Sequence, residues 1–186
     1  MQSLEARDAF MIGTSATIRV GGSFDIPVHN LALETTTTEF SAVALTSPFD
    51  YRKQAMMYIP DERYFPAPVE HSEAVMKETA DLVKAAGGRA LCLFTTSFDA
   101  AENGKFLRKK FPTMKILIQG EAPNSQLIEE FKQNEKSVLV ATMGMWHGLD
   151  IPGPSCSLVV LNKIPFKPMN DPLSVARQKW AALFVQ

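Results

Sequence analysis

A single carboxylate, Asp150, sits in a loop rich in residues that let a backbone come close to a ligand. The stretch around it begins as the continuous apolar run Val138-Leu139-Val140-Ala141. It then passes Thr142 and breaks into a segment holding Gly144, Trp146, His147, Gly148, Asp150, Pro152 and Gly153. A carboxylate accepts bidentately from paired hydroxyls such as those of a ribose. Gly148 lacks a Cβ and lets the chain pass close to such a ligand. A short Gly-Leu-Asp is equally compatible with a purely structural loop. The Trp146 indole can stack on a nucleobase or pack beneath the loop, and the sequence leaves both open. His147 and Asp150 are two candidate metal ligands, too few to define a site.

Further hydroxyls lie at the ends of other apolar runs. Thr95 and Ser97 follow Ala90-Leu91-Cys92-Leu93-Phe94, while Ser15 and Thr17 flank Ala16 after Phe10-Met11-Ile12. Hydroxyls so placed bond neighbouring backbone groups, or donate to phosphate oxygens without reading base sequence. Lys163 and Lys167 lie in a proline-stiffened loop after Leu161. Lys105, Arg108, Lys109, Lys110 and Lys115 form a basic stretch that reads as a solvated helix face or as a phosphate-contacting patch. A phosphate cradle of the form Gly-x-x-x-x-Gly-Lys-Ser/Thr does not occur: the Gly104-Lys105 pair continues with Phe106. Asp61-Glu62 looks like a magnesium-holding acid pair, but Pro60 interrupts the strand before it, and a solvated loop is the better reading.

The elements that must position these groups follow from periodicity. The largely apolar stretches 90–94, 115–118, 138–141 and 157–161 predict strands of a parallel sheet, the continuous run 138–141 a buried one. Val75, Thr79, Leu82, Val83 and Ala86 share one face at 3.6 spacing and predict a helix over 69–86, ended by Gly87-Gly88. A second helix is expected near 98–110, capped by Ser97, although Asn103-Gly104 inside it is equally a turn signal. A third, capped by Asn124 or Ser125, would turn Leu127, Ile128 and Phe131 inward. Asp171-Pro172 opens a last helix. Earlier in the chain, 3–9 reads as the end of a helix, and 10–12, 43–45 and 56–59 as strands. Residues 18–41 read as a connector with little regular structure. Strands alternating with helices give a doubly wound α/β fold, and in such sheets ligands sit beyond the carboxyl ends of the strands. Every candidate group after Thr95 follows a predicted strand on that side.

Composition narrows the setting. With 186 residues, 46% apolar and 21% charged, the chain suits one globular domain, with room for an appendage, and a substantial core. A net charge of −1 gives no global footprint for nucleic acid, so any such contact must be local. Cys92 and Cys156 lie in or beside apolar strands, form no Cys-x-x-Cys pair, and read as buried thiols of a reducing cytoplasm. No apolar run approaches the ~20 residues of a membrane span, and the start has no signal-peptide pattern. The expectation is a soluble cytoplasmic protein with no membrane partner.

Taken together, Gly13-Thr14-Ser15-Ala16-Thr17, Leu93-Phe94-Thr95-Thr96-Ser97, the Gly148-Leu149-Asp150 loop, and Lys163-Ile164-Pro165-Phe166 with Asp171-Pro172 resemble superfamily-two DNA helicases of the DinG/XPD type, DinG more closely. The resemblance covers nearly the whole chain and rests on motif order and spacing. It identifies Ser15, Ala16 and Thr17 as motif III, which couples nucleotide state to the DNA track. The stretch from Leu93 is motif IV and the loop around Asp150 is motif V. It implies a truncated second RecA-like domain over 42–186 that lacks motif VI. Residues 1–41 would be the end of a first motor domain and a connector. Gly148 and Asp150 would serve the nucleotide. Thr95, Ser97, Thr142, Trp146, Lys163 and Lys167 would line a groove for single-stranded DNA. The implied partners are DNA, ATP with Mg2+, and the parent's first motor domain, and the implied parent unwinds DNA at the expense of ATP. The family's usual glutamate is His147 here, which weakens any role borrowed from that glutamate. Two cysteines cannot supply the four thiolates of the iron–sulfur cluster found in many relatives. The expectation is a fragment inactive by itself. The rival is a free-standing α/β nucleotide- or ligand-binding module without motor activity, and Walker motifs upstream in the reading frame would decide between them.

Overall fold

The structure, a computed structural model, describes residues 11–16, 18–33, 39–61, 69–146, 149–163 and 171–182. The chain divides into two compact units, 1–58 and 59–186.

In the first unit, a tight turn at Gly21-Gly22 closes a bridge between Val20 and Ser23. The Ser23 hydroxyl oxygen then accepts from the Asp25 N–H at 3.0 Å, next to helix α1, Asp25–Asn30. The segment read as a largely irregular connector therefore contains a turn and a short helix. Helix α2, Tyr51–Gln54, follows Asp50, whose carboxylate pairs with Lys53 at 3.2 Å. The strands expected at 43–45 and 56–59 do not form: Leu45 is 90% and Met56 91% exposed, in backbone outside any ladder. Met11 and Ile12 likewise lie in no strand. Apolar, β-prone composition makes a strand only where a neighbour supplies a ladder, and among the described residues these segments have none. The helix expected at 3–9 lies outside the described residues.

The second unit is organised on a four-stranded parallel sheet of order β2-β3-β1-β4, with β1 Ala90–Phe94, β2 Lys115–Ile118, β3 Ser137–Thr142 and β4 Leu158–Leu161. β1 and β3 are buried on both faces, and β2 is buried after Lys115, which is why they read as apolar runs. β4, an edge strand, is covered on one face only, with Leu158 and Val160 packed against the core and Val159 and Leu161 exposed. On one face, Ala80 and Val83 of helix α3, Val69–Ala86, and Ala100 and Leu107 of helix α4, Ser97–Lys110, pack against Cys92, Phe94, Ile118 and Val140. On the other, Leu127 and Phe131 of helix α5, Asn124–Gln133, pack against Leu117 and Leu139. Helix α6 spans Pro172–Ala182. This is a RecA-like α/β arrangement.

The helix ends carry their own chemistry. At the end of α3 the Gly88 N–H donates to Val83 O at 3.1 Å and the Gly87 N–H to Lys84 O at 3.0 Å, which satisfies carbonyls the helix leaves open. Gly88 has φ +91°, and a Cβ there would lie 2.9 Å from the Lys136 carbonyl carbon, so glycine is required by both conformation and approach. Two expected caps move by one residue. Thr96, extended at φ −126° and ψ 152°, caps α4 in place of Ser97, which becomes the first helical residue. Pro123 precedes α5, with Asn124 already helical. At α6 Asp171, expected just before the helix, caps it: its carboxylate accepts from the Ser174 N–H at 2.8 Å. Helix α4 runs unbroken through Asn103-Gly104, because Gly104 lies directly against Ile118 of β2.

Candidate nucleic-acid interface

The connections leaving the sheet define where a ligand can sit. From Phe94 the chain turns to the α4 face, whose Ala100 and Leu107 join that core. From Thr142 it turns to the opposite face, where Met143, Met145, Leu149 and Ile151 pack. Phe94 and Thr142 are register partners on adjacent strands. Neighbouring strands that send their chains to opposite faces open a crevice at their carboxyl ends, the position at which open α/β sheets bind ligands.

A cleft of about 290 Å³ occupies this crevice, lined by Ser97, Ala100, Gln119, Gly120 and Thr142. Two expected contacts, Ser97 and Thr142, thus meet in one place, and Thr95 is exposed beside them at the end of β1. The rim is firmly built. The Thr96 hydroxyl oxygen accepts from the Asp99 N–H at 3.0 Å, and its O–H donates to the Asp99 carboxylate at 2.8 Å. The Thr142 hydroxyl donates to Gln119 Oε1 at 3.0 Å, and the Thr142 N–H donates to the same oxygen at 2.7 Å. Thr142 must therefore exchange a protein partner before it can donate to anything else. Gln119 was not anticipated from the sequence. Its weak signal is its place immediately after the 116–118 apolar run and before Gly120.

The loop bearing Gln119 is clamped from α4. Arg108 Nη1 and Nη2 donate to the Glu121 carboxylate at 3.0 and 2.7 Å, and Nη2 also donates to Ile116 O at 2.8 Å. This bond holds the Glu121 carboxyl below the usual carboxylate range and raises the Arg108 guanidinium. Other cations of the basic stretch are paired too: Lys105 with Glu102 at 2.7 Å, Lys110 with Asp81 at 3.4 Å and Lys115 with Glu130 at 2.8 Å. That pairing supports the solvated-face reading of the stretch.

Trp146 and Asp150 lie elsewhere. Trp146, 43% exposed, lines an apolar recess of about 340 Å³ with Leu91, Leu93, Leu149, Ile151, Cys156 and Val159. Asp150 is exposed on the connection between β3 and β4. Lys163 is exposed just after Asn162, whose N–H donates to Leu93 O at 3.0 Å and keeps this loop at the carboxyl end of the sheet. Ser15 and Ala16 are exposed in the first unit. Thr17, Glu62, His147, Gly148 and Lys167 lie outside the described residues. Among the described residues no group of three or more His, Cys, Asp and Glu could hold a metal ion. Nor is any helix among them long and apolar enough to cross a membrane. Burial pushes the Cys92 thiol up to about 12, with Cys156 adding to the shift, and burial raises Cys156 as well.

The family described as the helicase C-terminal domain matches residues 79–183, which include all four strands of the sheet and the cleft. The ATP-dependent helicase DinG of Mycobacterium tuberculosis (strain H37Rv) is 37% identical over 172 residues, 91% of this chain and 25% of that protein. The ATP-dependent DNA helicase YoaA of Haemophilus influenzae is 35% identical over 176 residues, 94% of this chain and 26% of that protein. YoaA of Escherichia coli K12 is 30% identical over 172 residues, 90% of this chain and 26% of that protein. The chain spans about a quarter of the length of these curated relatives. No solved structure matches it. By the match over 79–183, on the parallel sheet that carries the crevice, this chain belongs to the helicase C-terminal domain family.

Proposed function

We propose that this chain supplies the second motor domain of a DinG-type, ATP-dependent DNA helicase, and that the crevice between β1 and β3 is part of its track for single-stranded DNA. The observation that carries the reading is the meeting of Ser97 and Thr142, from two separate helicase-like motifs, in one cleft at the carboxyl edge of the sheet. Hydroxyls and small residues suit a ligand gripped by its backbone rather than by its bases. On this reading, 42–186 forms the second domain, and 1–41 forms the end of the first motor domain with its connector. Ser15, Ala16 and Thr17 couple the two. Gly148 and Asp150 face the nucleotide, with the carboxylate accepting from ribose hydroxyls. Thr95, Lys163 and Lys167 extend the DNA track, and Trp146 adds a stacking surface. The parent would use ATP with Mg2+ to move along single strands and open duplexes in the cytoplasm, in repair or replication-linked work. No magnesium ligand is assigned to the described residues.

The test is fluorescence anisotropy of labelled single-stranded oligonucleotides with this chain across a salt series. Binding should be weak, indifferent to base sequence and progressively lost as salt rises, because phosphate contacts release counterions. Lys163→Ala should lower affinity for all sequences alike and flatten the salt slope by about one counterion. Binding that is absent at low salt, or that selects one sequence strongly, would refute the track.

A further inference from the structure

We infer that Gln119 contacts the phosphate backbone of the bound strand through its side-chain amide, and that Thr142 is a positioning residue that acts through Gln119. The inference rests on the proposed DNA track and adds to it a residue to which no motif points. Gln119 leaves β2 with its N–H donated to Val140 O at 2.9 Å, so its backbone is tied to β3. Its side chain crosses to the end of that strand, where Oε1 accepts from the Thr142 N–H and the Thr142 hydroxyl. A backbone N–H can only donate, so the amide atom that meets it must be the oxygen. That assignment forces the threonine hydroxyl to donate as well. It also turns the Gln119 nitrogen, with its two N–H donors, away from Thr142, and none of the described residues accepts from that nitrogen.

The surroundings select the ligand. Beside Gln119 the cleft is lined by Ser97, Ala100, Gly120 and Thr142. None is aromatic, so the cleft offers no surface for a base to stack on. None is acidic, and the nearby Asp99 carboxylate accepts from the Thr96 hydroxyl at 2.8 Å. Gly120, at φ +97°, leaves open space where a side chain would begin. The loop is held from behind by the two-pronged Arg108–Glu121 pair. The site thus presents a fixed, uncharged pair of donors beside the Ser97 hydroxyl, which fits a phosphate oxygen of a strand read without regard to sequence. An uncharged donor releases no counterion of its own, so its loss should lower affinity without changing the salt slope.

Two measurements on the whole 186-residue chain test this, with oligothymidylate as the probe. In ¹⁵N-labelled protein, the Gln119 side-chain NH₂ resonances, identified by their absence in Gln119→Glu, should shift as the oligonucleotide is added. By anisotropy, Gln119→Glu keeps the acceptor that Thr142 needs but replaces the donors with a charge, and affinity should fall about ten- to a hundredfold. Gln119→Leu should weaken binding with the wild-type salt slope. Thr142→Val should weaken binding in the wild type but add little in the Gln119→Glu background, and Thr142→Ser should restore it. If Gln119→Glu binds as well as the wild type, and the wild-type Gln119 NH₂ resonances stay fixed as the oligonucleotide is added, Gln119 is no contact and the inference fails alone. A Thr142→Val loss that is fully additive would overturn the positioning role. If the wild-type chain does not bind oligothymidylate at all, the DNA track itself fails and this inference falls with it.

Discussion

Gly104→Ala tests the packing that aims the cleft. An alanine Cβ at this position would lie 2.5 Å from Ile118 Cδ1 and 2.6 Å from Cγ1. Ile118 is 3% exposed and branched at Cβ, so it has little room to swing aside. Overpacking of this kind costs about 1–3 kcal/mol. Against it stands the gain of alanine over glycine inside a helix, about 1 kcal/mol. Because two side-chain atoms are overlapped and neither can leave the core, the clash should win, with a net loss of about 1 kcal/mol. In a chain of this size that lowers Tm by roughly 2–4 °C. Ile118 directly precedes Gln119, so the strain should also reach the cleft and disturb the Gln119–Thr142 bonds. The assay is urea denaturation followed by circular dichroism, reading the midpoint at unchanged slope, with the Thr142 amide resonance as a local reporter. A Gly104→Ala chain as stable as the wild type, or more so, would show that α4 is not pressed onto β2 and that the glycine has no packing role.

The depressed Glu121 carboxyl means that, between its folded and ordinary titration points, the unfolded chain binds the extra proton. The Arg108–Glu121 contribution is therefore complete above the ordinary glutamate value and lost as pH falls through the lower folded one. Both side chains are about half exposed, so the effect should be only ~0–1 kcal/mol. It is measured as a urea midpoint falling less steeply on acidification in Glu121→Gln than in wild type. Trp146→Ala should cost roughly 1–2 kcal/mol of stability, since the indole is partly buried in its recess. A separate loss of about 1–3 kcal/mol in DNA affinity would mark base stacking, and unchanged stability would remove the packing role. Cys156 should react slowly with a thiol reagent in the native state, and Cys92 only on unfolding, because burial holds its thiol protonated. Native-state labelling of Cys92 as fast as that of Cys156, read by peptide mass, would contradict the buried strand.

β1, β2 and β3 could be read from the chain because burial on both faces writes each as an apolar run, whereas β4 shows the same run although Val159 and Leu161 are exposed. Helix α3 was equally plain, since its inward face repeats at 3.6 and two glycines close it. Met56 to Ile59 has the same strand-like composition but no ladder, and pairing is a property of the neighbour rather than of the segment. Thr96 and Ser97 are chemically alike as caps, and only the extended backbone of Thr96 decides between them. Asn103-Gly104 signalled a turn as strongly as a packing site, and the choice is made by Ile118, 14 residues further along. For the candidate site, Ser97 and Thr142 were legible as hydroxyls after strands. Gln119 was not, because its meaning comes from a bond to a residue 23 positions away.

The most direct test of the account is phosphate release from ATP by the parent polypeptide that contains this chain, with and without oligothymidylate. The account predicts hydrolysis stimulated by the single strand. Asp150→Ala should weaken nucleotide binding about 10–100-fold, the loss of a charge-assisted hydrogen bond. A parent that binds the oligonucleotide yet hydrolyses ATP at the same rate without it would contradict the assignment of this chain to a DNA-driven motor.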